Sequence, residues 1–272
     1  MENKELEKID TKIKESGLSY KELELLLKSA KCKPISSPIL TSPTKTIYYG
    51  YISDTHIGHN QFDEQLFLKA VKVFNDEKVD FVLHPGDIVE GMSGRPGHIY
   101  ELSHVGFDAQ LEYSSNLLNQ IHSQIYGITG NHENWFKDKF NVGINFGKML
   151  TLKVKNFNYL GEWEANLMVD NLKIKLWHAN DGTGSADSAK LQKTISSFSN
   201  EQKPHILHSG HYHKQVYLYR ENVHGFECGT LCGQSIFMKG NKLQAHKGFG
   251  LVKVKYNTNI ESLTHTFFPS YY

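Results

Sequence analysis

Long apolar runs are missing from this chain of 272 residues. No stretch approaches the roughly 20 apolar residues that a membrane-spanning helix requires, so a helical membrane protein is excluded. Cysteine is scarce: Cys32, Cys228 and Cys232 are the whole set. An odd count in a chain of this size does not make a disulfide framework, and a reducing cytoplasm is the expected compartment. The opening residues, MENKELEKID, are charged from the second position and carry no apolar stretch, so no secretory signal is expected there. Excess charge is missing too. The formal net charge is +1, which argues against polyelectrolyte binding by the chain as a whole. No internal repeat or low-complexity block is present, and the composition suggests neither disorder nor a fibre.

What is there is an ordinary apolar fraction, 39%, sufficient for one substantial core. That length predicts one large domain of roughly 200–250 residues with a small appendage. The appendage is residues 1–46. Leu6, Ile9 and Ile13 fall at helical spacing before Gly17, and Ser19 with Glu22 forms a capping box opening a second helix through Leu23, Leu26 and Leu27. The stretch holding Pro34, Pro38 and Pro43 reads as a linker. This helical pair is expected to dock on the main domain. A partial helix-turn-helix is the alternative, though no basic third helix follows.

The main domain, residues 47–272, opens with a β-α-β-α-β pattern. TIYYGYIS, VDFVLH and SQIYGIT are strands, residues 62–76 a helix, and Tyr100–Ile121 a longer helix. The second half is richer in strands, including LKIKLW, HILHS, VYLY and LVKVKY, and hairpins dominate it. The pattern predicts an α/β layered fold with mixed rather than purely parallel sheets.

Histidine is abundant, 15 residues, and placement matters more than number. The strands run into Asp54-Thr55-His56, Gly86-Asp87, Gly130-Asn131-His132-Glu133, His178, and Gly210-His211-Tyr212-His213. Ligands in layered α/β folds bind outside strand ends, so five such loops can meet at one crevice. In Asp54-x-His56, alternate residues of an extended strand end point the same way and can face one ion. His211-x-His213 can serve two neighbouring ions by the same logic, and Asp87 can bridge them. Oxygen and imidazole ligands without thiolate suit Mn, Fe, Zn, Co or Ni. Cys228 and Cys232 are read as buried thiols beside a strand.

This ordered set resembles the calcineurin-like metallophosphoesterase superfamily, in a form like its phage and bacterial members, over about residues 47–256. The resemblance implies a four-layer α/β/β/α sandwich of two mixed sheets and a dinuclear centre with Mn as the first choice. It implies that Asp54, His56 and His213 hold one metal, that Asn131, His178 and His211 hold the other, and that Asp87 bridges them. A bridging hydroxide then attacks phosphorus, with His132 as proton donor and stabiliser. Glu133 is expected to orient a ligand or His132. Around the rim, Arg95, His98 and His59 are candidates to touch substrate or support the ligands, and NDGTGSADS after His178 could cradle an anion. His84 and His208 are expected in the core. Ala179 stands where many members have glycine, which touches only the local turn.

The expected activity is phosphoester hydrolysis, leaning to a phosphodiesterase or nuclease, with a phosphomonoesterase as the alternative. Nucleic acid is the candidate partner beyond a small phosphoester. The near-neutral main domain argues against tight binding of long duplexes. A non-catalytic scaffold of the same family would be expected to lack ligands, and none is missing here.

Overall fold

Three apolar layers separate four layers of secondary structure in the computed structural model, which describes residues 38–139, 143–182, 184 and 186–271. The helical pair expected in residues 1–46 lies outside them, as does the start of the linker with Pro34. Twelve strands are described: β1 (Ile39–Leu40), β2 (Thr46–Tyr51), β3 (Phe81–Pro85), β4 (Gln124–Thr129), β5 (Phe157–Glu162), β6 (Glu164–Val169), β7 (Leu172–His178), β8 (Ile206–Gly210), β9 (Gln215–Arg220), β10 (Val223–Cys228), β11 (Gly248–Tyr256) and β12 (Ile260–Pro269). The α-helices are α1 (Glu64–Asp76), α2 (Phe107–Leu118), α3 (Asn131–Asn134), α4 (Phe146–Lys153), α5 (Ala189–Ser197) and α6 (Ile236–Gly240). A 3-10 turn, His98–Glu101, and a π-helical turn, Trp135–Lys139, complete them.

The strands form two mixed sheets of six, ordered β12-β11-β2-β3-β4-β5 and β1-β6-β7-β8-β10-β9. Parallel pairing joins β2, β3, β4 and β5 in the first sheet, and β7, β8 and β10 in the second. Parallel neighbours finish at the same sheet edge, so the loops that follow them emerge together. Ile39 and Leu40, within the stretch read as linker, pair in parallel with Met168 and Val169.

Alternation along the strands sorts the apolar residues. Tyr49, Tyr51, Leu83 and Ile128 of the first sheet face Ile174, Leu176, Ile206 and Phe226 of the second. On the outer face of the first sheet, Val82 and Ile125 meet Phe67 and Phe74 of α1, Leu118 of α2 and Phe146 of α4. On the outer face of the second sheet, Leu207 and Val223 meet Leu191 and Ile195 of α5. Each such buried side chain stabilises the fold by about 1.5–3 kcal/mol. The fold is thus the expected α/β/β/α sandwich. One expected helix is shorter: Tyr100–Ile121 breaks at Gly106, whose φ of 93° suits glycine, and α2 starts at Phe107. No helix among the described residues is long and apolar enough to cross a membrane.

Candidate metal centre

Beyond β2 the backbone continues beside the residues that follow β3, with the Asp54 amide donating to Gly86 O at 3.2 Å and the His56 amide to Asp87 O at 3.1 Å. The strand-end reading of Asp54-x-His56 requires extended backbone, and here the structure differs. Asp54 and His56 adopt φ of 46° and 48°, Asp87 51°, His211 87° and His213 56°. All five are in the left-handed region, where a Cβ crowds the following carbonyl at a cost of about 1–2 kcal/mol per residue. Their side chains converge because the backbone is twisted at each one. Strain gathered on one cluster marks a functional site.

Asp87 occupies the centre. Its Oδ2 lies 3.2 Å from His178 Nε2, 3.9 Å from His56 Nε2 and 3.8 Å from His132 Nε2. On one side, His213 Nε2 lies 2.9 Å from His56 Nε2 and 3.4 Å from Asp54 Oδ1. On the other, Asn131 Oδ1 lies 3.1 Å from both His178 Nε2 and His211 Nδ1. Donor atoms of Asp54, His56 and His213, and those of Asp87, His178 and His211, each lie within 4.8 Å of one another. Glycine makes room for this. A Cβ at Gly86 would come within 2.4 Å of His178 Nδ1, and one at Gly130 within 2.4 Å of Asp87 Oδ1.

The outer ring nitrogens show what the inner ones are for. His178 Nδ1 donates to Pro85 O at 2.8 Å, His211 Nε2 to Asp181 O at 3.1 Å, and His56 Nδ1 to a Glu90 carboxylate oxygen at 2.8 Å. In a neutral imidazole the other nitrogen is then a lone pair. The inner lone pairs of His178 and His211 both point at Asn131 Oδ1, an acceptor, and His178 also at Asp87, an acceptor. Acceptors facing acceptors repel unless a proton or a metal ion lies between them. Burial, then the neighbouring His132, holds the His56 imidazole below its ordinary value, and burial with His178 takes His211 down to about 4. Both rings are therefore neutral ligands near pH 7. Burial opposes charge on His178 as well, yet Asp87 outweighs it and lifts the ring to about 9: positive charge is favoured at that nitrogen. The donor set fits two divalent ions, with no thiolate in reach. Cys228 and Cys232 are buried, and burial first pushes both thiols well above their ordinary value.

His132 stands at the rim of this cluster. Its Nδ1 donates to Glu90 O at 2.7 Å and its ring packs 4.0 Å from that of Trp135. Burial disfavours its charge, but Asp87 and Glu90 prevail and raise it to about 10. Glu133 is buried beneath, its oxygens accepting from the amides of Val89 and Gly130, both at 2.8 Å. Burial, with Asp87 close by, lifts its carboxyl to about 7.

Glu90 escaped the sequence reading. It is buried, and its carboxylate takes His56 Nδ1 at 2.8 Å and His98 Nε2 at 2.7 Å. The signal available was an acid three residues after Asp87, in Gly-Asp-Ile-Val-Glu-Gly. His98 is turned inward onto Glu90 and accepts from the Ser93 amide at 3.2 Å. Arg95 is ion-paired with Glu101. His59 accepts from the Gln61 amide at 2.9 Å and lies 3.5 Å from Glu101. None of these three joins the ion cluster. In the loop after His178, Thr183 and Ser185 lie outside the described residues. Asp181 holds His211 through its carbonyl and pairs through its carboxylate with Tyr212 and Lys190.

Comparison with known proteins shows the family and the likeness of fold. A DNA polymerase II small subunit of Methanothermobacter thermautotrophicus is 26% identical over 237 residues, covering 70% of this chain and 48% of that protein. Its counterpart from Archaeoglobus fulgidus is 25% identical over 147 residues, covering 49% of this chain and 30% of that one. The chain spans about half the length of these curated relatives, or less. Among solved structures, an archaeal phosphodiesterase superposes with a TM-score of 0.50 at 16% identity, over 82% of this chain and 100% of that one, a likeness of fold. The family model of the calcineurin-like phosphoesterase superfamily domain matches residues 48–255. With three-quarters of its length matched and a polar cluster at its strand ends, the chain belongs to the calcineurin-like phosphoesterase superfamily.

Proposed function

We propose that this protein is a hydrolase dependent on two divalent metal ions and acting on phosphodiesters, nucleic acid foremost. The observation that carries the reading is the inward convergence of imidazole lone pairs and carboxylate oxygens on two adjoining positions that share Asp87. Asp54, His56 and His213 would hold one ion and Asn131, His178 and His211 the other, with manganese the first candidate and Fe, Zn, Ni or Co compatible with the same ligands. When bound, the ions neutralise phosphate charge and activate a water for in-line attack on phosphorus.

The chain's own groups do the rest. His132 keeps Nδ1 on the Glu90 carbonyl, which leaves Nε2 facing the cluster. In its charged form it can donate an Nε2 proton to the departing oxygen and stabilise charge on the phosphoryl group. Glu90 fixes the ring of His56, the Pro85 carbonyl that of His178 and the Asp181 carbonyl that of His211, so three ligands keep their lone pairs inward. Glu133 ties the Gly130 and Val89 amides together beneath Asn131 and Asp87.

The names of the polymerase-subunit relatives support a nucleic-acid setting. They also support a second reading, a non-catalytic polymerase subunit, which the complete ligand set opposes. The test is metal analysis of the purified chain followed by assays with Mn²⁺ on bis-p-nitrophenyl phosphate, p-nitrophenyl phosphate, cyclic nucleotides and single- and double-stranded DNA. Two metal equivalents and diester turnover are expected. Activity on the monoester alone would overturn the diester reading, and absence of both metal and turnover would favour the non-catalytic one.

A further inference from the structure

Next to the metal centre the surface changes character. Tyr100, in the 3-10 turn, is 84% exposed, and Ile236 and Phe237 in α6 are 72% and 52% exposed. They belong to one wall. The Ile236 amide donates to Glu101 Oε2 at 3.1 Å. Arg95 pairs with the same carboxylate and holds its guanidinium 5.7 Å from the centre of the Phe237 ring. Asn60 Nδ2 donates to the Tyr100 carbonyl at 2.9 Å. The inner side of the wall reaches the ligands directly: His98, two residues before Tyr100, bonds Glu90, which bonds His56.

Its unpaired charge is positive. Between Cys228 and Glu261 the chain has no acidic residue and five lysines. Of these, Lys239 and Lys242, in and just after α6, are exposed and have no acidic partner among the described residues. Free lysines beside exposed rings are a poor core for a protein interface, where lysine is depleted. They match a flexible polyanion whose bases have free faces. Rings on turns can stack on an unpaired base, and a duplex conceals those faces.

We propose that this wall binds single-stranded nucleic acid beside the metal centre, with Tyr100 and Phe237 taking base faces and Lys239 and Lys242 taking backbone phosphates. The proposal rests on the phosphodiesterase reading for why a strand would be drawn there, but binding itself needs no turnover. The test is fluorescence anisotropy of a labelled phosphorothioate single strand, resistant to cleavage, with the full chain and a range of salt concentrations. Tyr100→Ala and Phe237→Ala should each weaken binding about tenfold, the lower range of one base–aromatic stack. Tyr100→Phe should restore it, since the ring and not the hydroxyl does the stacking. Lys239→Gln and Lys242→Gln should each flatten the slope of log affinity against log salt by roughly 0.7, while Lys253→Gln on β11 should leave it alone. Thermal melting of each variant reports whether the fold is kept.

Three results would overturn the proposal: alanine variants that bind within twofold of the wild type, a wild type that prefers duplex or binds no strand, or self-association that Tyr100→Ala dissolves. Ring-dependent binding without any diester hydrolysis would overturn the hydrolase reading and leave the wall standing.

Discussion

Between the two sheets, His208 meets the Tyr49 hydroxyl at 2.9 Å through one nitrogen and the Cys228 thiol at 3.3 Å through the other. At the strand ends, His178 meets a carbonyl at 2.8 Å through its outer nitrogen and two acceptors through its inner one. Both rings are fully buried. They differ in what faces them. Each nitrogen of His208 has a partner that can serve as donor or acceptor, and burial, with His265 adding to it, takes the ring down to about 3. His178 has carboxylate and amide oxygens before it, and is held up at about 9. Burial alone therefore says nothing about function. A histidine is a ligand candidate when its second nitrogen faces acceptors, which only a proton or a metal ion can reconcile.

The largest effect that tests this contrast is removal of the shared carboxylate. Asp87→Asn should lose at least one of two metal equivalents by elemental analysis and bring diester turnover to background, because several kcal/mol of charge stabilisation go with the ions. His208→Phe should keep both equivalents. If Asp87→Asn retained two ions, the shared-ligand arrangement would be wrong.

His132→Asn comes next. It should lower turnover by about 10²–10⁴-fold, the usual worth of a positioned acid, while metal content stays at the wild-type level. Nearly full turnover with metals bound would remove His132 from the chemistry.

Glu90→Gln tests the support beneath. It should weaken metal binding by about 10–100-fold, read by competition with a chelator, because His56 and His98 share that carboxylate. Unchanged affinity would mean that the buried network alone orients His56.

The smallest effect belongs to the core. His208 is neutral in the folded chain and takes up a proton near pH 6.5 when unfolded, so its stabilising contribution is complete above that pH. It is lost as pH falls from about 6.5 toward 3, at roughly 1 kcal/mol per pH unit. His208→Phe should be less stable at neutral pH, since the Tyr49 hydroxyl loses its partner, but its stability should fall less steeply between pH 6.5 and 5.5. Denaturant unfolding at both pH values reads this difference, and equal slopes would mean that His208 is protonated in the fold.

Much of this was legible in the residues. The β-branched and aromatic run TIYYGYIS and the helical spacing of Phe67, Ala70, Val71 and Phe74 placed β2 and α1 closely, because burial is the dominant energy and residue type and period reveal it. The strand ends carrying Asp54, Asp87, Asn131, His178 and His211 were legible because parallel strands must finish at one edge. The longer helix through Tyr100 was misjudged, since Gly106 interrupts an otherwise amphipathic run. Glu90 stayed hidden because an acid three residues after Asp87 does not by itself name its partner, and His56 stands 34 residues before it.

By itself, then, the sequence determined a layered α/β fold of mixed pairing, the order of the strands' polar ends and the chemical nature of the candidate ligands, since these depend on periodicity and residue type. Only the tertiary structure decided which nitrogen of each ring points inward, that five of the candidate ligand positions twist into left-handed backbone, and that His98 turns onto Glu90 and Arg95 onto Glu101. The ring orientations at His178 and His211 depend on contacts between residues remote in the chain, and such contacts exist only once both sheets have closed on the same edge.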